Sequence, residues 1–380
     1  MRIKRSSKRF LVTLLLLAAL TCPRAYAAPG VSAVSAVLME QESGELLFSQ
    51  NADKPLPIAS ITKIMTGLLA AERCDPEEEI LIRPEWLKVE GSNMGLRPGE
   101  CCRAEDLLYG LMLESGNDAA LALACHMAGD VETFAAWMND RAAELGMGNT
   151  RFRNPHGLTQ EGHYSTARDM AVLTCAAMKN PRFAAVVGSK TASAGGHQLR
   201  NHNKLLWDYP DALGVKTGYT DAAGRTLVSC ARREGMTLVC VTLNDPMDWK
   251  DHTALLDWGF SAYTLADTDA LSLNLPVISG SVETVSVLPG IQSGLPVRKD
   301  GDWEWRVYLP SFLYAPCYAG VQAGRAELYV EDELVFTCPL MVGETVELDP
   351  SIPLSFWEKL RWVWIQACNY GYAPPPGLPY

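Results

Sequence analysis

The chain changes texture twice, and that alternation limits its architecture more than any single residue does. Ser35–Met39 and Glu45–Ser49 flank Glu42-Ser43-Gly44 and read as a β-hairpin. Helical spacing then takes over, in Ile61–Ala71, Ala104–Glu114, Asp118–Ala128, Val131–Leu145 and Thr166–Met178. Thr166 precedes Asp169 by three positions, the arrangement of a capping box. From Leu213 the strand pattern returns as Leu213–Thr217, Arg225–Ala231 and Thr237–Leu243, with a turn at Glu234-Gly235. Asp257–Thr264 reads as a helix. Strands at both ends of a helical block predict an α+β fold: one antiparallel sheet flanked by helices, with a helical subdomain inserted.

Past residue 268 the pattern is short alternating strands punctuated by Gly and Pro: Leu271–Leu275, Val282–Val287, Trp303–Leu309, Ala326–Val330 and Glu344–Leu348. A small C-terminal β-domain is expected there. At the other end, Arg2, Lys4, Arg5, Lys8 and Arg9 precede the apolar run Leu11–Leu20 and the small residues of Ala25-Tyr26-Ala27. This is the anatomy of a secretory signal, and the run is short for a membrane span. The expected organisation is a signal peptide over 1–27, a catalytic domain over 28–266, a β-rich domain over 267–350 and a terminal segment over 351–380.

Removing residues 1–27 takes away six basic residues and no acidic one, so the formal charge moves from −11 to −17. A body that acidic argues against a nucleic-acid ligand. Of eleven cysteines, Cys22 falls in the signal, and the remaining ones spell no metal knuckle. Cys74 with Cys101 or Cys102, and Cys317 with Cys338, are the pairs to test for disulfides, a question the spacing leaves open. In 351–366, Phe356, Trp357, Leu360, Val363 and Trp364 share one helical face, while Glu358, Lys359, Arg361 and Gln366 lie mostly opposite. Such a helix suits the surface of a membrane, or alternatively packs on the β-domain.

Chemistry concentrates in three short words: Ser60-Ile61-Thr62-Lys63, Ser115-Gly116-Asn117 and Lys216-Thr217-Gly218. Each alone is weak. Ser60 reads equally as a helix N-cap, Ser115-Gly116-Asn117 as an interhelical turn, and Ser49-Gln50-Asn51 shows that Ser-x-Asn also arises idly. Together, in this order and context, they describe a serine nucleophile with a lysine as proton acceptor. Ser60 and Lys63 share a face at the first turn of a helix, where free N–H groups favour negative charge. A lysine acts as a base only when burial or another cation disfavours its ammonium form. Ser115 can relay a proton, and the Asn117 amide can hold a substrate carbonyl and a lysine. Lys216 and Thr217 lie on a strand that can pair with an extended peptide and attract its carboxylate, with Gly218 leaving room for close approach.

These words resemble those of the low-molecular-mass penicillin-binding proteins that act as D-alanyl-D-alanine carboxypeptidases, serine peptidase family S11. The resemblance runs from about Val34 to Tyr263. It also rests on Asn154-Pro155-His156-Gly157-Leu158, Tyr164-Ser165-Thr166-Ala167-Arg168-Asp169, Asn201-His202-Asn203-Lys204-Leu205-Leu206 and Gly214-Val215-Lys216-Thr217-Gly218-Tyr219-Thr220. It implies a β-lactamase/transpeptidase-like fold and roles residue by residue. Ser60 would be acylated by the penultimate D-alanine carbonyl. Lys63 would be the base, Ser115 the relay and Asn117 a substrate contact. Lys216 and Thr217 would bind the terminal carboxylate, with Gly218 beside them. The N–H groups of Ser60 and Tyr219 would form the oxyanion hole. Some members place an arginine before the last helix of this domain; here the stretch is Met247-Asp248-Trp249-Lys250-Asp251-His252, and Lys250 is the candidate substitute.

The implied partners are peptidoglycan stem peptides ending in D-Ala-D-Ala, β-lactams as covalent inhibitors and the outer surface of the cytoplasmic membrane, with neither metal nor organic cofactor. A class A β-lactamase is disfavoured, since no Glu-x-x-Leu-Asn word supplies a carboxylate to activate water. A D,D-endopeptidase or transpeptidase on the same scaffold stays open, as does a silent penicillin-binding structural protein, against which intact Ser60, Lys63 and Lys216 argue. A Ser-His-Asp hydrolase would want a Gly-x-Ser-x-Gly elbow, which is absent.

Overall fold

In a computed structural model, residues 27–291 and 294–351 are described, together with the isolated positions Trp357, Leu360 and Trp364. The signal expected over 1–27 lies outside them but for Ala27, and most of the amphipathic segment over 351–366 does too. They gather into two compact units that divide between Ala262 and Tyr263.

The first unit is built on a five-stranded antiparallel sheet. Its strands are β1 (Ser35–Glu40), β2 (Leu46–Gln50), β3 (Ala212–Thr220), β4 (Gly224–Arg233) and β5 (Met236–Leu243). Their order is β2-β1-β5-β4-β3, so the opening hairpin joins the closing strands through the β1–β5 pair, Ser35 opposite Leu243 and Glu40 opposite Leu238. Every residue of β1 and β5 is buried. Both faces of these central strands are covered, which explains their near-continuous apolar sequence.

One covering helix is α5 (Ala167–Lys179), whose Cys175 touches Met39; the other is α7 (Asp248–Ala262), where Gly259 fits against Leu38 and Leu238. Adjacent Leu38 and Met39 point to opposite faces, as a strand requires. Between β2 and β3 come α1 (Lys63–Arg73), α2 (Ala104–Leu113), α3 (Asn117–Ala128), α4 (Val131–Glu144), α5 and α6 (Pro181–Gly188). Their apolar faces join the sheet residues Val37, Met39, Val239 and Val241 in one continuous core.

Three details depart from the sequence reading. The last helix starts at Asp248, not Asp257, because its polar first turn is turned inward: Asp248, Asp251 and His252 are all buried. Helix α6 was not anticipated, although Asn180 caps it by accepting from the Arg182 and Phe183 N–H groups and Pro181 opens it. The capping box at α5 is half formed. Thr166 accepts from the Asp169 N–H (3.1 Å), but the Asp169 carboxylate turns instead to the Asn149 N–H and the Thr150 hydroxyl.

In the second unit a six-stranded sheet contains β6 (Leu273–Ile278), β7 (Thr284–Pro289), β8 (Trp303–Tyr308), β9 (Leu313–Tyr314), β10 (Gln322–Val330) and β11 (Glu333–Val342), ordered β8-β10-β11-β7-β6-β9. Tyr263–Leu265 pairs with Pro296–Arg298 and belongs to this unit. Strand β11 escaped the sequence reading because Pro339 argues against a strand interior and the acidic Glu331-Asp332-Glu333 looks like a solvated loop. Glu331 and Asp332 both have positive φ, and they form the tight turn between β10 and β11. Glu344–Leu348, expected as a strand, makes only isolated bridges, Val346 with Cys317 and Leu348 with Gly280.

Cys74, Cys101, Cys102, Cys317 and Cys338 are free thiols, so neither suggested disulfide is formed. Among the described residues no helix is long and apolar enough to cross a membrane.

Candidate active site

The nucleophile candidate Ser60 lies in a 3-10 turn, Ala59–Thr62, that runs directly into α1. In that geometry residues three apart are stacked, so Lys63 comes to lie over Ser60. Ser60 is not a helix cap, since the turn's N-cap is Ile58. Ala59 has φ +49°, a left-handed backbone that a non-glycine residue adopts at a cost of order 1–3 kcal/mol. The cause is close by: Gly157 presses its backbone against the Ala59 carbonyl, and Thr226 Oγ1 donates to the Ile58 carbonyl (3.1 Å).

Lys63 is fully buried, and its Nζ sits 3.1 Å from Ser60 Oγ, 2.7 Å from Asn117 Oδ1 and 2.8 Å from the His156 carbonyl. Burial pushes its pKa well below the ordinary lysine range, the nearby charge of Lys216 adds to the depression, and Asp118 opposes it. The Asn117 amide has a defined orientation: Nδ2 donates to the Glu90 carbonyl (2.6 Å), which leaves Oδ1 for the lysine. Its backbone N–H donates to Ser92 (2.8 Å).

Ser115 is buried and also left-handed (φ +60°). Gly116 beside it has no room for a side chain, since a Cβ would stand 2.7 Å from Asp118 Oδ1 and 3.1 Å from the Met94 nitrogen. Asp118 gathers the N–H groups of Met94, Gly95 and Leu96 (2.8, 3.0 and 3.2 Å) and thereby fastens the 91–96 loop to the start of α3.

Strand β3 supplies the opposite wall. Lys216 is buried, its pKa is lowered to about 7 by burial, and its Nζ donates to the Thr217 carbonyl (3.0 Å). A Cβ on Gly218 would lie 2.5 Å from Thr226 Oγ1 and 2.9 Å from the Ser60 nitrogen, so the strand passes against the nucleophile turn. Tyr219 is 64% exposed and its hydroxyl donates to Asp221, so the ring points away from this wall.

The structure thus brings Ser60, Lys63 and Asn117 into direct contact, with Gly218 against the Ser60 backbone and Lys216 near enough to act on Lys63. Lys250, the candidate for a missing arginine, is exposed in the first turn of α7 with no hydrogen bond to these groups.

Several supporting residues were given no role from sequence. Asn154 holds the Asn154–Leu158 loop by accepting from the Gly157 N–H (2.7 Å) and donating to the Leu158 carbonyl, and this loop presents the His156 carbonyl to Lys63. His163 accepts from the Arg153 N–H at Nδ1 (3.1 Å), so its Nε2–H donates to Thr62 Oγ1 (2.8 Å). Burial lowers its pKa to about 4 and that of His156 to about 3, so both are neutral imidazoles at physiological pH. The contribution of His156 to Lys63 is a backbone carbonyl, which side-chain identity does not advertise. Among the described residues no group of three His, Cys, Asp or Glu stands together as metal ligands.

The profile of the peptidase S11 family, described as D-alanyl-D-alanine carboxypeptidase, matches residues 23–247. The D-alanyl-D-alanine carboxypeptidase DacF of Bacillus subtilis is 31% identical over 334 residues, covering 83% of this chain and 86% of the relative. DacC of Escherichia coli, with the same description, is 33% identical over 84% of this chain and 86% of its own. Penicillin-binding protein 5 of Haemophilus influenzae superposes with a TM-score of 0.70 at 28% identity, covering 84% of this chain and 99% of that structure. A Streptomyces K15 DD-transpeptidase superposes with a TM-score of 0.59 at 33% identity over 61% of this chain and 99% of its own.

Proposed function

The chain belongs to the D-alanyl-D-alanine carboxypeptidase family, peptidase S11, and from that premise we propose that it removes the terminal D-alanine of peptidoglycan stem peptides through an acyl-enzyme on Ser60. The observation that carries the reading is the surrounding of Lys63 Nζ. Two of its neighbours, Asn117 Oδ1 and the His156 carbonyl, can only accept. A neutral amine has two N–H bonds and one lone pair. With both N–H bonds spent on those acceptors, the lone pair faces Ser60 Oγ.

In the first half-reaction Ser60 Oγ bonds to the penultimate D-alanine carbonyl carbon while Lys63 takes the hydroxyl proton. The Ser60 and Tyr219 N–H groups receive the oxyanion, each worth roughly 10²–10³-fold in rate. The proton then passes through Ser115 to the D-alanine nitrogen, the C–N bond breaks and free D-alanine leaves. In the second half-reaction a water loses its proton to Lys63, its oxygen bonds to the ester carbon, and the Ser60 ester bond breaks with return of that proton. Asn117 steadies both Lys63 and the substrate. Lys216 and Thr217 hold the terminal carboxylate, and Gly218 admits the peptide close to β3. β-Lactams enter the same groove as covalent inhibitors.

The work site is the outer surface of the cytoplasmic membrane, reached through the N-terminal signal and held by the segment over 351–366. Trp357, Leu360 and Trp364 support this: they are helical, spaced three and four apart, and 74%, 53% and 69% exposed.

The test is mass spectrometry of the penicillin-treated protein with D-alanine release from a diacylated L-Lys-D-Ala-D-Ala peptide. The expected result is one adduct on the peptide containing Ser60, lost with D-alanine release in Ser60→Ala. An adduct elsewhere, or hydrolysis surviving in S60A, refutes the mechanism.

A further inference from the structure

His202 stands between two walls of the site on a backbone that is clamped on both sides. Asn201 and Asn203 flank it and are buried. Asn201 Nδ2 donates to the Val187 and Ser189 carbonyls (3.1 and 3.0 Å), and its Oδ1 accepts from the Asn203 N–H (3.0 Å). Asn203 Oδ1 in turn accepts from the Leu205 N–H (3.1 Å). Val187 also packs against Gly214, two residues ahead of Lys216: a Cβ on that glycine would lie 3.1 Å from the same Val187 carbonyl. With an inward asparagine on either side, the imidazole is turned outward and half-exposed, within reach of the Lys216 charge on β3.

On the other wall His202 Nε2 is 3.4 Å from Glu114 Oε2, and the second Glu114 oxygen accepts from the Arg200 N–H (2.7 Å). Glu114 directly precedes Ser115. The charged groups facing the imidazole are Glu114 at the end of α2, Lys216 on β3 and, more weakly, Arg200 on its own segment. The Arg200 guanidinium itself lies over the Trp207 ring, 5.3 Å from its centre.

The geometry points to His202 as a carboxylate-recognition residue, its imidazolium adding a second positive charge to that of Lys216 at the C-terminal carboxylate of an acyl-D-Ala-D-Ala ligand. This rests on the acyl-transfer reading above and deepens it. Glu114 accepts at Nε2, so the nitrogen left for a ligand is Nδ1. In the neutral ring Nδ1 is a lone pair and repels a carboxylate; in the imidazolium it is a donor. Lys216 already spends one N–H on the Thr217 carbonyl, so a carboxylate with two oxygens gains from a second donor. His202 thereby fills the part expected of Lys250. Burial and the Lys216 charge hold its pKa below the ordinary range while Glu114 opposes them. A bound carboxylate opposes them too, so ligand and proton bind together.

The experiment compares acylation by benzylpenicillin and by its methyl ester, at about pH 5.5 and about pH 8. It uses the full chain and the variants H202Q, H202R and E114Q. In H202Q, acylation by the free acid falls roughly tenfold on the acid side and less than about twofold on the alkaline side, while the ester is unaffected. H202R restores the acid-side rate and removes the part of the pH dependence that separates the unmodified chain from H202Q, and E114Q moves the midpoint of that part to lower pH. An equal loss at both pH values, or an equal loss with the ester, overturns the assignment. Failure of the unmodified chain to be acylated at all would instead strike the acyl-transfer reading.

Discussion

Gly157 faces the Ala59 carbonyl with no space for even a methyl group: a Cβ there would stand 1.9 Å from that oxygen and 2.8 Å from Thr62 Oγ1. Gly157 is itself left-handed, with φ +87°. Gly157→Ala therefore combines a backbone penalty of about 1 kcal/mol or more with a push on the turn that carries Ser60. Penicillin acylation is expected to fall by more than about tenfold, with a lowered melting temperature. Unaltered acylation would mean that this contact does not hold the nucleophile in place.

Lys216 and Lys63 are coupled through charge. Replacing Lys216 by Met removes a cation that disfavours protonation of Lys63, so the Lys63 pKa should rise toward its ordinary value. Lys63 must be neutral to accept the Ser60 proton. The acid limb of the acylation profile should then move to higher pH, read with a penicillin ester so that carboxylate binding does not intervene. A stationary limb would show that burial alone sets the lysine.

Acid should weaken the fold through its neutral histidines. Folded-state values of about 4 for His163 and about 3 for His252 lie below the ordinary 6.5. Between those limits the unfolded chain binds protons that the folded chain refuses, so stability is lost as pH falls from 6.5 toward 4 and 3, by up to roughly 3 kcal/mol for His163 and roughly 5 kcal/mol for His252. His252 is wholly buried between Ser229 (2.6 Å) and Thr242 (3.0 Å). Urea titrations of H252N should show a smaller loss between about pH 7 and about pH 5 than the unmodified chain. Equal slopes would assign the acid sensitivity to other groups.

Removal of residues 351–380 should move the protein from the membrane to the soluble fraction while leaving penicillin labelling in place. The exposed Trp357, Leu360 and Trp364 supply the apolar face that such attachment uses. An unchanged distribution after fractionation would reject the anchor.

The presence of one antiparallel sheet was readable because apolar runs report burial directly: β1 and β5 are mainly apolar and wholly buried, and β4 is buried over Thr226–Ala231, while the pairing of β1 with β5 came from the structure. Ser60, Lys63, Ser115 and Lys216 were likewise nameable as candidates, since the proposed chemistry would be carried by their side chains. What stayed hidden works through the main chain or through burial of polar groups. The His156 carbonyl, the N–H groups collected by Asp118 and the inward-facing first turn of α7 leave no periodic trace. Strand β11 was masked by Pro339 and by an acidic turn. Lys250, at the right place in sequence order, stands on the exposed side of the first turn of α7, whose acidic residues face inward.

The meeting of β1 with β5 has a consequence for when the enzyme can awaken. Helix α1 follows the opening hairpin closely, yet that hairpin finds its neighbour only once the stretch up to Leu243 is available. A chain secreted from its N-terminus would bring Ser60 across long before Lys216, and pairing over such sequence distance is slow. On the proposed export and acyl-enzyme reading, Ser60 would meet Lys216 only after the stretch through β5 had crossed, so β-lactam capture is expected of the fully translocated catalytic unit and not of half-exported chains.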